Sequence, residues 1–124
     1  MTRPLVYVAG PYKGNAIGEE MPHTHRACKA GYFLKANGFM PLIPHLLFPL
    51  RLIRPSFTED DIMEMCLDYL YRCDAVLRIE GVSNGAELEC EYARLHGIPV
   101  FECHESEFCD RWAKWAKRER GDAS

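Results

Sequence analysis

One stretch of the chain, AVLRIEGVSNGAELECEYARLHG at residues 75–97, decides the fold. Its first five residues predict an apolar strand over 75–79, and a Ser/Asn/Gly turn follows at 83–85. A helix is predicted from about residue 86 to residue 96, with Gly97 as its C-terminal cap. The first backbone N–H groups of such a helix are free to hold an anion or a polar ligand. The stretch therefore predicts a small-molecule site with a carboxylate one turn into the helix.

Strands and helices alternate along the rest of the sequence. Further strands are predicted at 5–9, 39–43 and 98–101, and further helices at 23–37, 58–71 and 105–120. Residues 14–22 and 44–56 are predicted loops, the second rich in both leucine and proline. Because strands separated by helices form parallel sheets, we expect one α/β domain over residues 1–124, with a mostly parallel sheet and helices on both faces.

Polar or glycine-containing segments follow three of the predicted strands. They are Gly10-Pro11-Tyr12-Lys13 after the first strand, Pro44-His45 after the second and Ser83-Asn84-Gly85 after the third. In parallel sheets of this kind, ligands bind outside the carboxyl ends of the strands. We therefore expect these three segments to meet in one site.

Composition and charge exclude several classes of function. Apolar residues make up 48% of the chain and charged residues 27%, and the net charge of −3 comes with no basic stripe, which argues against a nucleic-acid partner. No secretory signal or membrane span is recognisable, and the six cysteines show no CxxC pair and no disulfide-framework spacing. These features predict a cytoplasmic protein with reduced thiols, no membrane partner and no metal site.

The glutamates of the predicted 86–96 helix lie on different faces. Leu88, Tyr92 and Leu95 recur at helical spacing and predict the face that packs on the core. A second, charged stripe contains Glu87, Glu91 and Arg94. Glu89 lies outside both stripes, with an alanine one turn before it and another one turn after it. Small neighbours would let its carboxylate approach a ligand, although a surface glutamate among helix-favouring alanines fits the spacing equally well.

These motifs resemble the nucleoside 2-deoxyribosyltransferase superfamily, whose relatives include nucleoside 5′-monophosphate N-glycosidases. The resemblance covers nearly the whole chain in order, and it implies a single Rossmann-like three-layer sandwich. The matching segments are Val6–Pro11, Arg72–Leu77, the G-x-x-x-E-x-x-x-A pattern of Gly85, Glu89 and Ala93, and Gly97–Val100.

The resemblance also implies the catalytic groups. Glu89 matches the nucleophile, which attacks the anomeric carbon and forms a covalent glycosyl-enzyme, and the helix-start N–H groups are expected to keep it ionised. Tyr7 matches the residue that orients this carboxylate by a hydrogen bond, although a strand-edge aromatic fits its position as well. Asp68 is the expected second acid group beside the leaving base, with Asp61 and Glu64 as alternatives.

The resemblance also bears on the substrate. Transferases of free nucleosides have an aspartate six residues before the nucleophile, whereas the monophosphate hydrolases have a serine that donates to the 5′-phosphate, as Ser83 would. Lys13 matches a phosphate-pairing arginine of those hydrolases. Ser83 is also an ordinary helix N-cap residue. The full set of expected substrate-binding residues is Gly10, Pro11, Lys13, His45, Ser83, Asn84 and Gly85.

The sequence thus predicts a cytoplasmic enzyme without a cofactor or metal, which cleaves or exchanges the N-glycosidic bond of a (deoxy)nucleoside 5′-monophosphate. Its partner is a small nucleotide or nucleoside, and a homodimer or higher homo-oligomer is expected. The apolar 44–56 loop would either cover the base or form a subunit contact. The alternative is a nucleotide-binding or sensing module with weak or no catalysis. A third possibility, an interaction domain that uses the apolar loop, predicts no nucleotide binding.

Overall fold

The computed structural model describes residues 2–13, 20–53 and 56–120 of the chain. These residues form a regular alternation of strands and helices. In chain order they are β1 (Leu5–Ala9), α1 (Glu20–Ala36), β2 (Met40–Leu42), a 3₁₀ helix (Pro44–Leu52), α2 (Glu59–Tyr71), β3 (Ala75–Arg78), α3 (Asn84–Leu95), β4 (Val100–Glu102) and α4 (Glu105–Arg120).

The strands form one parallel sheet in the order β2-β1-β3-β4. The chain first places β2 on one side of β1 and then crosses to place β3 on the other side. The carboxyl ends of β1 and β3 therefore flank the point where the strand order reverses, which is where open α/β sheets bind ligands. The predicted α/β fold is confirmed.

Helices cover both faces of the sheet. Because successive residues of a strand point to opposite sides, β1 contributes side chains to both layers. Val6 and Val8 of β1 belong to a buried cluster with residues of α1 and α4. Tyr7 and Ala9 belong to a second buried cluster with residues of α2 and α3. Tyr7 is thus directed into the layer that contains α3. None of the described helices is both long and apolar enough to cross a membrane.

Side-chain caps define the starts of α2 and α3. Thr58 and Asp61 form a capping box at α2, in which Thr58 Oγ1 accepts from the Asp61 N–H and Asp61 accepts from the Thr58 N–H. Ser83 Oγ accepts from the Ala86 N–H at 3.1 Å, so α3 begins at Asn84, two residues before the predicted start. The Ile98 N–H still bonds the last turn of α3, so β4 begins later than predicted.

Two segments that were predicted to be loops are partly helical in the structure. Of the predicted 14–22 loop, residues 14–19 lie outside the described residues and residues 20–22 belong to α1. Of the predicted 44–56 loop, Pro44–Leu52 forms the 3₁₀ helix, and residues 54–55 lie outside the described part. Proline is common at the first position of a helix, where its missing N–H is not needed, and Pro44 occupies this position. The proline-rich composition of the segment nevertheless favoured the prediction of a loop.

The predicted core face of α3 is wrong for Leu88 and Leu95, although Tyr92 is partly buried and packs against the core. Leu88 is 48% exposed and Leu95 is 80% exposed, whereas the stripe that contains Glu89, Cys90 and Ala93 is buried. The small side chains of this stripe let α3 pack closely against the sheet, which the larger leucines would prevent. The close packing brings the Glu89 carboxylate into the layer that contains Tyr7.

Candidate active site

A cavity of about 580 Å³ opens at the carboxyl ends of β1 and β3. Its walls come from the loop after β1, the 3₁₀ helix, the first two turns of α2 and the N-terminus of α3. The three segments that follow strands therefore meet, as expected from the topology. Eight of the ten expected site residues line the cavity, namely Gly10, Pro11, Lys13, His45, Ser83, Asn84, Gly85 and Glu89.

Two glycines allow the loops after β1 and β3 to approach each other. A Cβ atom on Gly10 would lie 2.5 Å from Ile79 Cγ1, and one on Gly81 would lie 2.5 Å from Pro11 Cγ. Gly81 also has a φ of 116°, which side chains rarely adopt. The narrow gap between these loops thus depends on the absence of side chains at both positions.

Glu89 lies at the buried end of the cavity and is only 6% exposed. The Tyr7 hydroxyl, in the same buried layer, donates a hydrogen bond to Glu89 Oε2. Burial raises the pKa of Glu89 from its ordinary value of 4.5 to about 7, against the opposing effects of the Tyr7 hydrogen bond and the positive charge of Arg78. Desolvation therefore outweighs both effects, and the groups that favour the ionised carboxylate are Tyr7 and Arg78 rather than the helix-start N–H groups that were expected to do so.

Tyr7 and Cys66 complete the surroundings of Glu89. Burial, followed by the charge of Glu89, raises the pKa of Tyr7 well above its usual range. Burial likewise raises the pKa of the Cys66 thiol to about 11. Both groups are therefore neutral at physiological pH, so that Tyr7 retains the proton it donates to Glu89.

The N-terminus of α3 supplies polar groups to the cavity. Ser83 Oγ accepts from the Ala86 N–H and keeps its own hydroxyl hydrogen available as a donor. The N–H groups of Asn84 and Gly85 belong to the first turn and have no acceptor within the helix. A Cβ atom on Gly85 would lie 3.6 Å from Met63 Cε, so the side chain of Met63 is in van der Waals range of these donors. The arrangement can receive an anionic or strongly polar group.

Lys13 lines the cavity, but its charge is already paired. The Lys13 ammonium lies 2.5 Å from Glu59 Oε2, and the other oxygen of Glu59 lies 3.3 Å from Arg51 Nη1. Glu59 and the adjacent Asp60 both line the cavity. An anion that binds Lys13 must therefore compete with the Glu59 carboxylate.

His45 is 3% exposed and sits in the 3₁₀ helix rather than in an open loop. Its Nε2 lies 2.8 Å from the Pro11 carbonyl oxygen, and burial lowers its pKa, so the ring is neutral with Nε2–H donating. Among the described residues, its Nδ1 has no hydrogen-bond partner. Tyr12 stacks on Phe48 at 3.6 Å and contacts the His45 ring edge-on, which gives this wall of the cavity an aromatic character.

The expected second acid group is not brought to the cavity. Asp68 is exposed on α2 and does not line the cavity, and its backbone carbonyl accepts from Arg72. Asp61 is used in the capping box and Glu64 is exposed, and neither lines the cavity. The carboxylates that do line it besides Glu89 are Glu59 and Asp60.

The sequence reasoning missed these two acidic residues because carboxylates in a first helical turn are explained by the helix dipole. Their position could have indicated a role in the site, because the N-terminus of α2 lies beside the carboxyl ends of the strands. Among the described residues, no group of three or more His, Cys, Asp or Glu side chains could hold a metal ion.

A comparison with protein-family models gives a match over most of the chain. The family model described as Domain of unknown function (DUF7768) matches residues 4–103. The comparison with curated proteins returns no match.

Two solved structures show a nucleoside 2-deoxyribosyltransferase-like fold in this chain. The 2-desoxiribosyltransferase from Leishmania mexicana is 19% identical with a TM-score of 0.54, over 79% of this chain and 62% of that one. The 2-deoxyribosyltransferase from Bacillus psychrosaccharolyticus is 20% identical with a TM-score of 0.53, over 77% of this chain and 69% of that one. The chain thus spans less than two thirds of the length of the Leishmania protein.

Proposed function

The chain belongs to the family described as Domain of unknown function (DUF7768), and we propose that it is an enzyme acting on the N-glycosidic bond of a (deoxy)nucleoside 5′-monophosphate. The observation that carries this proposal is the buried Glu89 carboxylate, hydrogen-bonded by Tyr7 at the end of a cavity large enough for a nucleotide. The fold shared with two deoxyribosyltransferases supports the same chemistry.

In the proposed reaction, one oxygen of ionised Glu89 attacks the anomeric carbon of the sugar. A glycosyl–oxygen bond forms while the bond to the base nitrogen breaks, and the electron pair leaves with the base. Tyr7 fixes the carboxylate orientation through its hydrogen bond. Water or a second base then attacks the same carbon, the bond from that carbon to the Glu89 oxygen breaks, and the proton that the attacking molecule loses passes to the group that protonated the departing base. Water gives hydrolysis, and a second base gives base exchange.

The departing base requires a proton or a hydrogen-bond donor. Asp60 is the better candidate for this second acid group than Asp68, because Asp60 lines the cavity and Asp68 does not. At the other end of the substrate, Ser83 and the free N–H groups of Asn84 and Gly85 would bind the 5′-phosphate. Lys13 would contribute once the phosphate displaces Glu59 from it.

A further part of the proposal is a homodimer or higher homo-oligomer. Leu46, Leu50 and Leu52 of the 3₁₀ helix are exposed beside the cavity, and such apolar side chains are commonly covered by a partner. Light scattering after size-exclusion chromatography measures this directly, and a monomeric mass at micromolar concentration would contradict it.

To test the proposal, the protein is incubated with a panel of ribo- and deoxyribonucleoside 5′-monophosphates and the matching nucleosides, and the released base is measured by chromatography. We expect release from a monophosphate, and we expect the Glu89→Gln variant to lose it. If base is released only from free nucleosides, and only when a second base is present, the protein is a nucleoside transferase and the monophosphate is not its substrate. Ligand-dependent thermal stabilisation without any release would support a sensing module instead.

A further inference from the structure

We propose that Arg78 is a positioning residue of this site, which holds the β3–α3 loop and the first turn of α3 in place and places its positive charge near Glu89. The inference deepens the proposed function of Glu89 and rests on it. Arg78 ends β3 within an otherwise apolar run and is only 8% exposed. A buried arginine needs partners for its charge and for its donors.

All three guanidinium nitrogens of Arg78 are used as donors. Nη1 donates to the Ile79 carbonyl, and Nη2 donates to the Gly81 carbonyl at 2.8 Å. Nε and Nη2 both donate to Glu87 Oε1, at 3.2 and 3.0 Å. One side chain therefore joins the loop that follows β3 to the first turn of α3.

This connection determines where the reacting groups lie. The loop held by Arg78 leads directly to Ser83, the N-cap of α3, and the helix it orients carries Glu89 in its second turn. Because Arg78 has three planar, directional nitrogens, lysine cannot reproduce the connection, although it keeps the charge. The two contributions of Arg78 can thus be separated by substitution.

The charge of Arg78 acts on Glu89 in the opposite direction to burial, since it lowers the Glu89 pKa. The other groups that interact with Glu89 are the Tyr7 hydroxyl from β1, the Cys66 thiol from α2 and the Cys90 thiol from α3 itself. All three groups are neutral near pH 7, because burial raises the pKa of each. Among the cations of the described residues, Arg78 is therefore the one whose charge favours the ionised form needed for nucleophilic attack.

The test is a pH titration of the Glu89 carboxyl carbon by NMR, assigned with the Glu89→Gln variant, in the wild type and in three Arg78 variants. Arg78→Met and Arg78→Gln remove the charge, and we expect the Glu89 midpoint to move to higher pH in both. Arg78→Lys keeps the charge, so the midpoint should stay near the wild-type value. Amide hydrogen exchange in the loop at residues 79–83 should nevertheless become faster in Arg78→Lys.

A Glu89 midpoint that is unchanged in the neutral variants would overturn the inference, as would a midpoint that moves equally in Arg78→Lys. Arg78→Gln keeps a side-chain donor and serves where Arg78→Met does not fold. The titration needs no substrate. Failure to find any nucleotide or nucleoside substrate would therefore reject the proposed function, while the titration would still decide whether Arg78 controls Glu89.

Discussion

Replacing Glu89 with glutamine should stabilise the protein at neutral and alkaline pH, although it removes the proposed nucleophile. The folded protein holds Glu89 at a pKa of about 7, whereas the ordinary value is 4.5. Between these two values the folded state binds a proton that the unfolded chain releases. Folding stability is therefore fully retained below about pH 4.5 and falls as the pH rises through 7.

The size of this loss follows from the interval between the two pKa values. One pKa unit corresponds to about 1.4 kcal/mol, so ionising Glu89 costs the folded state about 3 kcal/mol of stability by pH 8. Glutamine has nearly the same shape and does not ionise, so the Glu89→Gln variant avoids this cost. For a chain of this length, 3 kcal/mol corresponds to a difference of roughly 10 °C in Tm.

Urea unfolding followed by circular dichroism at pH 5, 6, 7 and 8 measures this effect. The stability of Glu89→Gln relative to wild type should increase steadily with pH. Glu91→Gln is the matched control, because Glu91 is exposed on the same helix, and its difference from wild type should be nearly flat. A pH-independent difference for Glu89→Gln, or one that shrinks toward pH 8, would refute the reasoning.

Three further outcomes are expected. Tyr7→Phe removes a hydrogen bond that lowers the pKa of the candidate nucleophile, so the acid limb of kcat/KM should move to higher pH; an unmoved limb would contradict that role. Asp60→Asn should reduce kcat by about 10²-fold or more, while Asp68→Asn should retain wild-type turnover, and the reverse order would restore Asp68 as the second acid group. Gly10→Ala places a Cβ atom 2.5 Å from Ile79 and should lower the free energy of unfolding by about 1–3 kcal/mol in urea titrations. An unchanged urea midpoint would show that the loops after β1 and β3 move apart at no cost.

The fold was predictable because its signals are local. An apolar run that ends at Gly10-Pro11 marked β1, an apolar run followed by a Ser/Asn/Gly turn marked β3, and the Thr58 cap marked the start of α2. The parallel topology then placed the ends of β1 and β3 together without knowledge of any tertiary contact. Eight of the ten expected site residues accordingly line one cavity.

Features that depend on packing distance were not predictable in this way. The pattern of large apolar residues assigned the core face of α3 to Leu88, Tyr92 and Leu95. Close packing on the sheet buried the small residues around Glu89 instead and left both leucines exposed. Asp68 was assigned only from a resemblance, and the structure leaves it exposed. The raised pKa of Glu89 follows from tertiary burial, which no spacing of residues in the sequence reports.

The most direct test of the account is to locate the glycosyl intermediate. The protein is mixed with the monophosphate that releases its base fastest, quenched in acid and digested, and the peptides are weighed by mass spectrometry. The account predicts a sugar phosphate adduct on the peptide that contains Glu89, and no adduct in the Glu89→Gln variant. An adduct on another residue, or undiminished base release by Glu89→Gln, would contradict it.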